Sequence, residues 1–131
     1  MNHMPSDVTL LRLAVQNLAC APQAQRRYVQ LDMMGRAIGN LDRIGARADD
    51  LVASGELDAE QARLVSDLRE EVLAQIAADP EFLAPAGASE REFLFGNALE
   101  TEGWSRVRHM ARPCHSALMG EDSVFLALRA K

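Results

Sequence analysis

Apolar positions recur at helical spacing through most of this chain, with one sharply marked interruption. From Gln23 to Ala78 the pattern is amphipathic and breaks only at Ser54-Gly55-Glu56-Leu57-Asp58. Before the break, Leu31, Ile38, Gly45 and Val52 recur every seventh residue, and Met34, Leu41 and Ala48 form an interleaved row. Tyr28, Ile44 and Leu51 widen that stripe. Two such rows predict a long helix over about 23–53 that packs on its neighbours at a shallow angle. Glycine and alanine within the stripe favour a bundle over an isolated parallel zipper.

The interruption carries several agreeing signals. Gly55 suits the left-handed residue that closes a helix, Asp58 suits the cap of the next one, and Gln61 stands at the reciprocal capping-box position. Leu64, Val65, Leu68, Val72 and Ile76 then share one side of a helix over about 58–78. So short a break makes the two helices antiparallel. Upstream, Ser6 or Asp7 can cap a first helix running to about Cys20, with Leu10, Leu11, Val15 and Leu18 as its apolar set, and Ala21-Pro22 marks its end.

Downstream the pattern weakens. Asp79-Pro80 can open a short helical turn, Pro85-Ala86-Gly87 reads as a loop, and Ser89 with Glu92 predicts a helix over about 90–102. Trp104 to Met110 alternates so weakly that helix and strand both fit. Short helices at about 114–119 and 122–129 are expected, with a small C-terminal β pairing as the alternative. The fold class is therefore all-α: a bundle of about five or six helices built round the 23–53 and 58–78 hairpin. Residues 1–3 read as vector-derived, and 4–131 as a single helical domain.

A chain of 131 residues can bury a sizeable core without disulfide or metal staples. Two cysteines, Cys20 and Cys114, are too few and too far apart for a disulfide framework, and they point to a reducing cytoplasm. No apolar window approaches the roughly 20 residues that span a bilayer, and the apolar run near the start lacks a basic leader. The formal charge of −5 is unevenly spread. Residues 1–53 carry six arginines against five aspartates, 54–102 three arginines against twelve acids, and 103–131 five basic residues against two acids. An acidic middle and a basic tail could attract each other, but solvated helix faces explain the same pattern.

Candidate chemistry is sparse. Phosphate-loop, zinc-protease, nucleophile-elbow and calcium-loop motifs are all missing from the sequence. The segment 104–116 holds the densest set of reactive groups: His109, Cys114 and His115 as weak catalytic candidates, and Arg106, Arg108 and Arg112 as an anion-binding set. Adjacent Cys114 and His115 point about 100° apart on a helix, and His109 is six positions from His115, so no metal site and no cofactor is assigned. Gly35 and Gly39, four apart, could admit close packing or a ligand's approach to the backbone. Tyr28 and Trp104 are the large amphipathic aromatics that could anchor a partner.

These features favour a protein–protein interaction or regulatory module that docks through an apolar helix face, onto itself as a homodimer or onto another protein. Two readings compete with it. One is a small helical enzyme or a cofactor- or metal-binding protein using 104–116. The other is an acidic regulatory DNA-binding domain, which the low formal pI of about 5.1 disfavours.

Overall fold

The computed structural model describes residues 6–21, 31–79, 82 and 100–119, with the backbone alone for 31–35. Among the described residues there are five helices and no strand: α1 (Asp7–Ala19), α2 (Leu31–Gly45), α3 (Ala48–Ala53), α4 (Ala59–Ala78) and α5 (Glu102–Met119). The chain is all-α.

Side-chain contacts fix the direction of each neighbour. Asp7, at the start of α1, pairs with Arg43 at 3.6 Å and Arg47 at 3.0 Å, at and just beyond the end of α2. Arg69 of α4 reaches Asp42 of α2 at 2.8 Å, and Gly45 lies against Val65 and Arg69. At one end of the next pair Gln61 donates to the Ala117 carbonyl at 2.9 Å, and two to three turns up α4 Glu71 accepts from Arg106 at 2.7 Å. Thus α1, α2, α4 and α5 alternate in direction. Because α5 also packs on α1, the four close into an up-down bundle.

The core is the apolar stripe of each helix. Leu11, Val15 and Leu18 come from α1, Ile38, Leu41 and Ile44 from α2, and Val65, Leu68 and Val72 from α4. Trp104, Val107, Ala111, Cys114 and Leu118 come from α5. Fully burying one such aliphatic side chain contributes about 1.5–3 kcal/mol, so these rows account for the association of the helices.

The hairpin forms by two local devices. At the end of α3, Glu56 N–H donates to the Leu51 carbonyl at 2.9 Å and Gly55 N–H to Val52 at 3.1 Å, the crossed pair of a Schellman closure. Gly55 carries the required positive φ of 82°, and Leu57 folds into the core. Asp58 then caps α4. Its carboxylate accepts from Gln61 N–H at 2.7 Å while the Gln61 amide oxygen accepts from Asp58 N–H at 2.8 Å. At the other end of the sequence, the Ser6 hydroxyl accepts from Thr9 N–H at 3.2 Å and opens α1.

Two expectations change. The helix expected over 23–53 is divided, where it is described, into α2 and α3 by a tightened turn in which Arg47 N–H bonds to Ile44 O at 2.9 Å. Gly45 is the reason. A Cβ there would stand 3.0 Å from Arg69 Cδ and 3.4 Å from Val65 Cγ1, so α4 approaches the backbone where helix propensity is weakest. The stripe survives the break, since Ile44, Ala48 and Leu51 all stay buried. Second, the ambiguous 104–110 stretch and the short helix expected at 114–119 form one helix that continues through Pro113. Pro113 lies on the exposed side, so the carbonyl it deprives, that of His109, can turn to water. Residues 23–30, residues 90–99 of the helix expected over 90–102, and the helix expected at 122–129 lie outside the described residues; α5 begins at Glu102, where the helix over 90–102 was expected to end.

Candidate functional site

Helix α5 sorts the reactive residues of 104–116 by face. Trp104, Val107, Arg108, Ala111, Cys114, His115 and Leu118 are buried, whereas Ser105, Arg106, His109, Pro113 and Ser116 are exposed. His109 and His115, six positions apart, therefore look in opposite directions. The three weak catalytic candidates do not converge.

Cys114 is completely buried, and burial pushes its thiol up to about 12. A reactive thiolate needs the opposite, a lowered pKa with access to solvent. Cys20 is also buried; its thiol donates to the Gln16 carbonyl at 3.2 Å, and neither cysteine is in a disulfide. His115 is only 1% exposed, and neither ring nitrogen has a hydrogen-bond partner among the described residues. Burial lowers its pKa, which keeps the imidazole neutral.

The three arginines divide between two neighbours. Arg106 turns to α4 and pairs with Glu71, whose carboxylate raises the guanidinium pKa further. Arg108 is buried and donates through Nε to the Cys20 carbonyl at 2.9 Å, and Arg112 donates to the Ala19 carbonyl at 3.2 Å. Those are the last carbonyls of α1, which has no basic residue in its final turn. Cationic donors suit a helix C-terminus, where carbonyls lack intrahelical partners. The pair thus caps α1 from another helix. A sequence clue existed: Ala19-Cys20-Ala21-Pro22 offers α1 no glycine or basic cap of its own, and Arg108 and Arg112 are four apart.

Trp104 is fully buried, its ring stacked on Phe82 with centroids 4.4 Å apart, and its indole N–H donates to the Phe82 carbonyl at 2.7 Å. Its aromatic surface is enclosed by the core in this state. Gly103 lets α4 come close beside it, since a Cβ there would stand 2.6 Å from Gln75 Oε1. Gly39 is exposed, and a Cβ there would meet nothing within 4 Å. Gly35 lies in α2, its surroundings undescribed, and Tyr28 is outside the described residues. The described close approaches fall not at Gly39 but at Gly45, which stands in the heptad row with Leu31, Ile38 and Val52, and at Gly103, which the spacing did not single out.

Among the described residues no group of three His, Cys, Asp or Glu side chains is placed to hold a metal ion, and no helix is long and apolar enough to cross a membrane. Four described arginines outside α5 are also engaged: Arg43 and Arg47 with Asp7, Arg63 with Glu60 and Asp67, and Arg69 with Asp42. Among the described residues a shallow groove lies at the hairpin end. Asp49 and Val52 of α3 face Ala59, Ala62, Arg63 and Ser66 of α4 across it. Its lining is mixed: Val52, Ala59 and Ala62 are apolar, Ser66 is polar, and Asp49 and Arg63 bring one acid and one base from different helices.

Fold and surface together define an all-helical bundle in which Arg108, Cys114 and His115 are buried, Arg106 and His109 are exposed, and a shallow groove of mixed polarity lies at the hairpin end. No family model matches the chain, and no curated protein or solved structure is significantly similar to it.

Proposed function

We propose that this chain is a protein–protein interaction module that docks an apolar helix face at the α3–α4 groove, with a second copy of itself as the partner. The observation that carries the reading is the groove itself, lined by Asp49 and Val52 of α3 and by Ala59, Ala62, Arg63 and Ser66 of α4. Two copies related by a two-fold axis present the same patch to each other, so Asp49 of each meets Arg63 of the other. A stable dimer buries about 800 Å² per partner, so the contact extends from the groove over the adjoining faces of α3 and α4. The charged pair selects register and the apolar side chains of the groove supply affinity. A reducing cytoplasm fits this reading, supported by two buried cysteines that form no disulfide.

Ala59→Glu tests it. Ala59 is the first residue of α4, where a carboxylate suits the helix dipole, so the substitution leaves the hairpin intact while placing a charge in the groove. Sedimentation velocity is expected to show the wild type as a dimer at micromolar concentration and the variant as a single chain. A wild type that sediments as one chain throughout contradicts self-association, and an unchanged dimer in the variant excludes the groove.

A further inference from the structure

Among the described residues the buried polar side chains are Arg108 and His115, and the fold treats them differently. Arg108 has the Cys20 carbonyl to donate to. His115 is 1% exposed and has no partner for Nδ1 or for Nε2. An unpaired buried polar group costs stability even when neutral, and a buried unpaired charge costs far more.

Among the described residues no carboxylate is paired with the imidazole. Three and seven positions before it on α5, hence on its own side of the helix, stand Arg112 and Arg108, whose guanidiniums are held at the end of α1; Cys114 beside it stays a neutral thiol. The face that α1 buries is Val8, Leu11, Ala14, Val15, Leu18 and Ala19; its ionisable side chains are Asp7, paired with Arg43 and Arg47, and exposed Arg12. The face that α4 buries is Ala62, Val65, Leu68 and Val72. Of α4's charged groups, Glu60, Arg63 and Asp67 pair with one another, Arg69 pairs with Asp42 of α2, Glu71 pairs with Arg106, and Glu70 is exposed. No carboxylate among the described residues is left to receive the proton's charge from inside the bundle.

We propose that His115 is an acid-sensitive latch: protonating its imidazole releases α5 from α1 and uncovers the Leu11, Val15 and Leu18 face. Arg108 and Arg112 let go of the α1 carbonyls in the same step, because both sit on the helix that moves. The sign follows from linkage. In the unfolded chain a histidine takes up its proton below about pH 6.5, whereas the folded bundle resists it. The stability contributed by neutral His115 is therefore present above that pH and is lost as pH falls below it. Carboxylates keep their charge down to about pH 4–5, so a transition between about pH 5 and 6.5 separates the latch from ordinary acid unfolding. The latch does not depend on the hairpin groove, and Ala59→Glu leaves it unchanged.

Trp104 is the chain's single tryptophan and lies on α5, so its fluorescence reports release directly. The wild type is expected to lose its buried-tryptophan signal reversibly between about pH 6.5 and 5. His115→Leu, which fills the site without a titrating group, is expected to lower that midpoint by at least about one pH unit, whereas His109→Leu, on the exposed face, leaves it in place. An acid midpoint in His115→Leu equal to that of the wild type overturns the proposal. Where His115→Leu fails to fold, the imidazole C–H proton signals of the wild type decide. A His115 resonance that holds its neutral position until α5 releases supports the latch, and one that titrates near 6.5 with Trp104 still buried overturns it.

Discussion

Gly39 and Gly55 are both exposed glycines, yet replacing them has opposite expected consequences. Gly39 sits in the helical body of α2 with open space where a Cβ would go, so Gly39→Ala is expected to stabilise the fold by up to about 1 kcal/mol through helix propensity alone. Gly55 has φ 82° in the hairpin closure, and Gly55→Ala is expected to cost about 1–2 kcal/mol because an L side chain strains there. Urea unfolding midpoints measured on the two variants check both signs. The thiols make a separate prediction. With Cys114 neutral and buried and Cys20 buried beside it in the core, a thiol reagent at pH 8 is expected to modify neither in the native protein and both in denaturant. Rapid native labelling of Cys114 would revive a nucleophilic role for it.

At the scale of elements, α1 depends on a helix more than eighty positions away in sequence. Arg108→Ala removes a charged donor from a buried carbonyl and is expected to cost about 2–3 kcal/mol, with Arg112→Ala costing less because that side chain is partly exposed. Thermal or urea unfolding of the two variants orders the effects; equal and negligible losses would mean that α1 ends on water instead. This capping was not legible in the sequence because it is a long-range contact, and the arginines looked like a free basic cluster. The hairpin was legible because its determinants are local: Gly55, Asp58 and Gln61 act within a few residues of one another. The division of the second helix was only half visible. Gly45 announced weak propensity, but the approach of Arg69 and Val65 that exploits it comes from the next helix. Helix α5 was hard to read for a different reason. Its buried positions include Arg108 and His115, which a polarity pattern assigns to solvent, and Pro113 suggested a boundary that burial of Cys114, His115 and Leu118 overrides.

For the whole molecule, the uneven charge map resolves largely into internal pairing. Basic residues of α2 and its turn meet Asp7 of α1, and Arg106 of α5 meets Glu71 of α4. The hairpin end stays acidic at its surface: Asp49 lines the groove, and Asp50, Glu56, Asp58 and Glu60 are exposed nearby in sequence even where they cap a helix or pair with an arginine. They set a condition on self-association: two like-charged ends must be held together by the apolar side chains of the groove and the Asp49–Arg63 pairing, so the contact is expected to strengthen as salt screens the repulsion. Sedimentation velocity of the 14.4 kDa wild-type chain beside Ala59→Glu, across micromolar concentrations and at two ionic strengths, tests this account most directly. It predicts a wild type of twice the chain mass, tighter at the higher salt, and a variant of single-chain mass. A wild type that remains one chain at every concentration, or a variant that dimerises as the wild type does, contradicts it.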